Sequence, residues 1–259
     1  MTGPDISLAV FNNKRQPIFT YRPDKLRESS STIKLPIIIM AIEKMASDGS
    51  GLEVVLGRKP HHATQGSGIL NWTGLLKVPL AELLRTTIVY SDCLATNMLI
   101  DYIGGQEQIN SWLAANHYRT SLLMPYLTFT DEEGDLPEVG LTTAAEIAGL
   151  YRQLEELDCP GDIKQLVAHS TAQVNESWLE LNLPDVLNDL HHKTGSMIDC
   201  GPLGETILNA AGSFSQNGSM FYFGLLSHGY LRKSPKDISE DSLKKSVANY
   251  FYEQVRTSC

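Results

Sequence analysis

Ser29-Ser30-Ser31-Thr32-Ile33-Lys34-Leu35-Pro36 opens an apolar segment that runs on through Met45. Three consecutive serines offer side-chain oxygens to cap a helix, and Gly49 and Gly51 supply its stop. The reading is a buried helix with Ser31 at its start and Pro36 near its first turn, where a missing N–H is tolerated. Strand signals lie outside it at both ends of the chain. Ile6 to Phe11 and Pro17 to Tyr21 are short apolar runs joined by Asn12-Asn13-Lys14-Arg15, a hairpin pattern. Ile207 to Phe214 and Ser219 to Leu226 read as two more strands around the turn Ser215-Gln216-Asn217-Gly218.

Helical periodicity fills the middle: Val78 to Val89, Leu94 to Ile103 ending at Gly104-Gly105, Gln106 to Asn116, and Thr143 to Leu157. Ser239 to Val255 closes the chain as an amphipathic helix. Residues 52 to 71 read as loop and irregular structure. Thr128 to Gly140 is polar, acidic and aperiodic, a long loop of the kind that often carries function. The expected fold is α+β: an antiparallel five-stranded sheet built from both termini and flanked by helices, with an all-α lobe inserted. That makes one domain over residues 1–259, with the sheet lobe at about 1–30 and 190–259 and the helical lobe at about 31–189.

Composition narrows the partners. The 259 residues are 42% hydrophobic and 20% charged, with a net charge of −9. An acidic chain without a basic stripe is not expected to bind nucleic acid. No apolar run approaches the roughly 18 to 20 residues of a membrane span. Met1-Thr2-Gly3-Pro4-Asp5 leads straight into a strand without the apolar leader of an exported chain. The protein is cytoplasmic if Met1 is its native start and exported if a leader has been removed. Four cysteines (Cys93, Cys159, Cys200 and Cys259) show no C-x-x-C spacing, against a disulfide scaffold or zinc knuckle. The pairs His61-His62 and His191-His192 lack flanking ligands at helical spacing, so no metal or other cofactor is expected. Nothing in the sequence bears on the oligomeric state.

Three short elements carry chemistry in a set order: Ser31-Thr32-Ile33-Lys34, Ser91-Asp92-Cys93 and Lys193-Thr194-Gly195. Each alone has a bland reading: an N-cap serine beside a solvated lysine, a second N-cap before Leu94, and an edge strand guarded by a lysine. Together they correspond to S-x-x-K, S-D-N and K-T-G, the signature of class A β-lactamases and penicillin-binding proteins. The stretches RESSSTIKLPI, YSDCLATNMLIDYIGG, GLTTAAEIAGL, HHKTGSM, LNAAGSF and MFYFGLLSHG extend the resemblance over about residues 6 to 255. The chain is thus identified as similar to that serine-hydrolase superfamily, closest to class A β-lactamases.

The resemblance implies the following roles. Ser31 is the nucleophile, Lys34 its base or relay, and Ser91 the shuttle that protonates the leaving nitrogen. Lys193 and Thr194 bind the substrate carboxylate, Gly195 lets substrate approach the strand, and the N–H groups of Ser31 and Ser196 form the oxyanion hole. Two departures qualify this. Cys93 stands where the family's S-D-N has Asn, either weakening substrate-amide recognition or packing as a small apolar side chain. The loop motif E-x-x-L-N, whose Glu activates the deacylating water, is missing. A gapless register puts Leu127 at that Glu and Asp131 at the loop's Asn. Asp131 is the foremost replacement base, followed by Glu132, Glu133, Asp135 and Glu138. The expected activity is acyl-enzyme formation on β-lactams or a related amide, with slow release. A D-Ala-D-Ala peptidase or small-ester hydrolase, and a non-catalytic binding module of the same fold, remain open.

Overall fold

The computed structural model describes residues 4–128, 138–174, 177–183, 188–200, 205–230 and 239–258. Strands β1 (Asp5–Asn12) and β2 (Pro17–Tyr21) form the expected hairpin. Strand β3 (Arg27–Glu28) leads into a single 3-10 turn, Ser30–Ile33, and then helix α1 (Lys34–Ser47). A short ribbon of β4 (Val55–Gly57) and β5 (Lys77–Pro79) encloses the one-turn helix α2 (Leu70–Thr73). Helices α3 (Leu80–Val89), α4 (Cys93–Ile103) and α5 (Gln106–Ala115) follow. Strands β6 (Ser121–Leu122) and β7 (Gly140–Thr142) join β3 in a small sheet. Helices α6 (Ala144–Glu156) and α7 (Gly161–Thr171) precede three long strands, β8 (Asn188–Cys200), β9 (Glu205–Gln216) and β10 (Ser219–Tyr230). Helix α8 (Glu240–Ser258) is the last element.

The main sheet is five-stranded, antiparallel and ordered β2-β1-β10-β9-β8, so both termini build it as expected. Period-2 alternation gives the central strands β1, β10 and β9 two apolar faces. Leu8, Val10, Phe223 and Leu225 pack under α8, where the Phe223 and Phe251 rings lie 4.7 Å apart. Ala9, Ala211, Tyr222 and Leu226 face the larger core formed by α1 to α6. Helix α1 runs through the middle of that core. Every residue from Leu35 to Ile42 is buried, which explains why its sequence is apolar all round rather than striped.

Three boundaries differ from the sequence reading. Pro79 is extended (φ −60°, ψ 147°) and caps α3, so the predicted start at Val78 falls in a strand instead. Residues 52–71 contain β4 and a 3-10 turn at Pro60–His62 as well as loop. Helix α7 was not expected. Only Ile163 and Val167 supply large buried apolar groups to it, with Ser170 and Thr171 completing the stripe, too faint a pattern to read.

Candidate active site

The 3-10 turn exists because the backbone around it is held from three sides. Ser29 N–H donates to Gly140 O (2.8 Å), and Asn209 on β9 donates to Glu28 O (2.9 Å) and Ser29 O (3.0 Å). Ser29 O in turn accepts from Thr32 Oγ1 at 2.6 Å. Ser30 takes a left-handed φ of 47°, a conformation that a serine holds only under such restraint. Glu28 Oε1 accepts the N–H groups of Ser30 (3.0 Å) and Val139 (3.2 Å). Burial outweighs those two bonds and raises this carboxyl to about 7.

Lys34 begins α1 three residues after Ser31 and is fully buried. Its Nζ donates to Ser91 O (2.5 Å) and lies 3.2 Å from Ser31 Oγ, 3.0 Å from Ser91 Oγ and 3.4 Å from Cys93 Sγ. An ammonium has three N–H bonds and no lone pair, so with four such neighbours at least one N–H is shared between two acceptors. Ser91 reaches this point because the chain turns through a left-handed φ of 52° between α3 and α4. Asp92 then caps α4, accepting from Ala95 N (2.8 Å) with one oxygen and from Ile69 and Leu70 N–H (2.7 and 2.8 Å) with the other.

Lys193 arrives from β8, also buried, and donates to Ser91 Oγ (3.0 Å) and Thr194 O (2.7 Å). Both amines therefore touch one hydroxyl and lie no more than about 6 Å apart, where two buried positive charges repel strongly. Neither lysine ion-pairs with a carboxylate among the described residues. Burial, and next the charge of Lys34, push Lys193 far below the usual lysine range. The cluster thus favours fewer protons than two ammonium groups would carry.

Gly195 brings β8 against the Ser30–Ile33 turn. A Cβ there would lie 2.7 Å from Ser31 N and 2.9 Å from Thr32 N. Thr32 N–H already bonds Ser29 O (3.2 Å), which leaves the Ser31 N–H, with no acceptor among the described residues, to serve an oxyanion. Gly195→Ala should push the strand off this turn and, where Ser31 is the group acylated, slow that acylation by roughly a hundredfold or more, as loss of an oxyanion donor does. Stopped-flow acylation rates with a chromogenic β-lactam check this, and a rate within threefold of wild type would contradict it.

The structure therefore brings Ser31, Lys34, Ser91, Cys93 and Lys193 into one hydrogen-bonded group. Thr194 joins through its carbonyl, Gly195 abuts Ser31, and Ser196 is the next, exposed, residue of β8. Cys93 is both buried and in polar contact, 3.4 Å from Lys34 Nζ and 3.5 Å from Ser67 Oγ. Asp131 lies outside the described residues, as do Glu132, Glu133 and Asp135; Glu138 is exposed. Leu127 is buried, its N–H donating to Asn97 Oδ1 (2.7 Å) and its carbonyl accepting from Asn97 Nδ2 (3.1 Å).

Sequence reasoning missed Ser67, whose Oγ donates to Ser91 O at 2.8 Å, and Asn209. Asn97 was also missed, although its place four residues after Cys93 on the same helix face was a usable signal. His192 is buried against Ser177 (Nε2 to Oγ, 2.5 Å), and burial, then the neighbouring Lys193, lower it to about 3. It is a neutral support for the strand. His61, His62 and Asp101 do bring ligand atoms within 4.8 Å of one another, Asp101 being the partner that spacing did not reveal. Yet His62 Nδ1 accepts the N–H of Lys59 (3.1 Å), leaving the proton on Nε2, and Lys59 Nζ already holds Asp101 at 2.6 Å. Asp101 is thus already partnered by the Lys59 ammonium.

A family model described as the Beta-lactamase enzyme family matches residues 2–251. No curated protein matches by sequence. Among solved structures, a class A beta-lactamase representative from Bacteroides cellulosilyticus is 19% identical with a TM-score of 0.79, over 98% of this chain and 93% of that one. PBP-A, in a mutant acyl-enzyme complex with penicillin G, is 17% identical with a TM-score of 0.77, over 99% and 92%. A beta-lactamase from Sphaerobacter thermophilus is 19% identical with a TM-score of 0.74, over 98% and 90%. At these identities the solved structures speak for the fold, and the chemistry has to come from the side chains.

Proposed function

The chain belongs to the beta-lactamase enzyme family, and from that premise we propose that it is a serine hydrolase that acylates Ser31 with β-lactams or a related amide. The observation that carries this reading is the buried pair Lys34 and Lys193 meeting at Ser91 Oγ, 3.0 Å from each. Such a cluster is costly to bury, and a merely structural role would be served better by apolar side chains. A binding module would have no need of it.

Lys34, in its amine form, accepts the Ser31 hydroxyl proton while Oγ attacks the substrate carbonyl. The N–H groups of Ser31 and Ser196 receive the oxyanion. As the amide C–N bond breaks, Ser91 gives its proton to the leaving nitrogen and is reprotonated from the lysine side. Lys193 and Thr194 hold the substrate carboxylate, whose negative charge draws the proton of the cluster onto Lys193 and leaves Lys34 as the amine. Cys93 takes the place of an amide side chain beside Lys34, so the substrate's own side-chain amide loses a strong partner.

Release is the slow half. Leu127 occupies the register position of the family's water-activating Glu and has no proton to exchange. We infer an acyl-enzyme that accumulates, with Asp131 the foremost candidate for whatever base acts. This is also what a D-Ala-D-Ala peptidase trapped by penicillin would do, and the structural likeness to PBP-A is compatible with that second reading. Hydrolysis of benzylpenicillin should therefore show a burst of about one product equivalent per enzyme, then a far slower steady rate. A linear trace from the first turnover, at a rate typical of efficient enzymes, would remove the slow-release part of the reading.

A further inference from the structure

Residues 54–81 contain no aspartate or glutamate, although the chain as a whole carries a net charge of −9. They do contain Arg58, Lys59 and Lys77. The same segment holds five of the chain's exposed large apolar side chains: Val55, Ile69, Trp72, Leu75 and Leu76. Trp72 is 89% exposed and Leu76 70%, so these groups stand out from the surface instead of lining a groove. The ribbon register explains the display. Val55 pairs with Pro79 and Gly57 with Lys77 on the outward side, while Leu56 pairs with buried Val78. Arg58 N–H donates to Leu76 O at 2.8 Å, which keeps a cation beside the most exposed leucine of the segment.

We propose that this segment is a contact site for an anionic lipid surface. A protruding indole with leucines beside it, fringed by Arg and Lys on a segment that itself carries no carboxylate, is the chemistry that settles at the headgroup level of a bilayer. Arg58 and Lys77 ion-pair with no carboxylate among the described residues, and Lys59 remains half-exposed while bridging Asp101. A second copy of the chain fits less well, because a two-fold interface would set each patch of cations against its own image. The site would also orient the molecule. Ser67, next to Gly68 and Ile69, bonds Ser91 O (2.8 Å) and accepts from Cys93 N–H (2.8 Å), so the patch borders the wall of the reactive cleft. Substrate would then be met at the membrane surface.

Co-sedimentation with phosphatidylcholine vesicles, with and without phosphatidylglycerol, tests this at low salt. The wild type should bind the anionic vesicles about tenfold or more tightly than the neutral ones, with tryptophan emission moving to the blue. Trp72→Ser combined with Leu76→Ser should abolish both signals with an unchanged melting temperature, and Arg58→Glu combined with Lys77→Glu should remove the anionic preference. Equal binding by the serine double variant, or no preference for phosphatidylglycerol, would overturn the proposal. A concentration-dependent dimer that shields Trp72 would assign the patch to a second copy and overturn it equally.

Discussion

Lys34→Met should slow acylation of Ser31 by benzylpenicillin by roughly a thousandfold, within the range that a positioned general base supplies. The substitution removes the only amine within 3.2 Å of Ser31 Oγ among the described residues and leaves a flexible apolar chain of similar length. Stability should hold or rise. Lys34 is buried with no carboxylate partner, and exchanging such a charge for an apolar side chain is neutral or favourable. The remaining lysine should feel less repulsion, so Lys193 moves back toward the ordinary lysine range, since the charge of Lys34 is the second cause of its lowering. A lowered folded-state value means that stability is gained as pH rises; in the variant that gain should be smaller in the alkaline range. Acylation rates and melting temperatures between neutral and alkaline pH check both. A loss of less than tenfold would show that Lys193, through Ser91, is the working base.

Leu127→Glu should act in the opposite sense and shorten the acyl-enzyme lifetime by about a hundredfold, the scale of a general base acting on water. The backbone at this position is fixed by both arms of Asn97, so the change alters the side chain and little else. Burying a carboxyl where a leucine was costs stability, by about 1–3 kcal/mol for an imperfectly satisfied polar group. Burial also raises the new carboxyl above the usual Glu range, so faster release should appear only as pH climbs past that value. Adduct lifetime against pH is the readout. An unchanged lifetime at every pH, with the fold intact, would mean that residue 127 does not face the ester.

The sequence was informative where local rules dominate. Four strands of the main sheet (β1, β2, β9 and β10) and helices α1 and α4 to α6 follow from periodicity, whereas β8 was legible only through K-T-G. The expected serine cap of α1 is not made, since no side chain caps the turn or the helix. The ribbon Val55–Gly57 with Lys77–Pro79 was not legible, because its exposed faces carry too few buried side chains to set a period. The three motif elements were readable as motifs, but their convergence was not: Lys34 and Lys193 are separated by most of the chain and meet only at Ser91. Ser67, Asn209 and Asp101 act through contacts with distant residues, and nothing adjacent to them in sequence marks that. Cys93 lies between the two readings it invited, fully buried and still within reach of Lys34 Nζ.

The most direct measurement is intact mass after incubation with excess benzylpenicillin, on the wild type and on Ser31→Ala in parallel. A single penicilloyl addition on the wild type, mapping to Ser31, persisting long after free drug is removed and missing from the variant, is the predicted result. A wild type that acquires no adduct and leaves the penicillin intact would contradict the assignment of Ser31 as an acylated nucleophile.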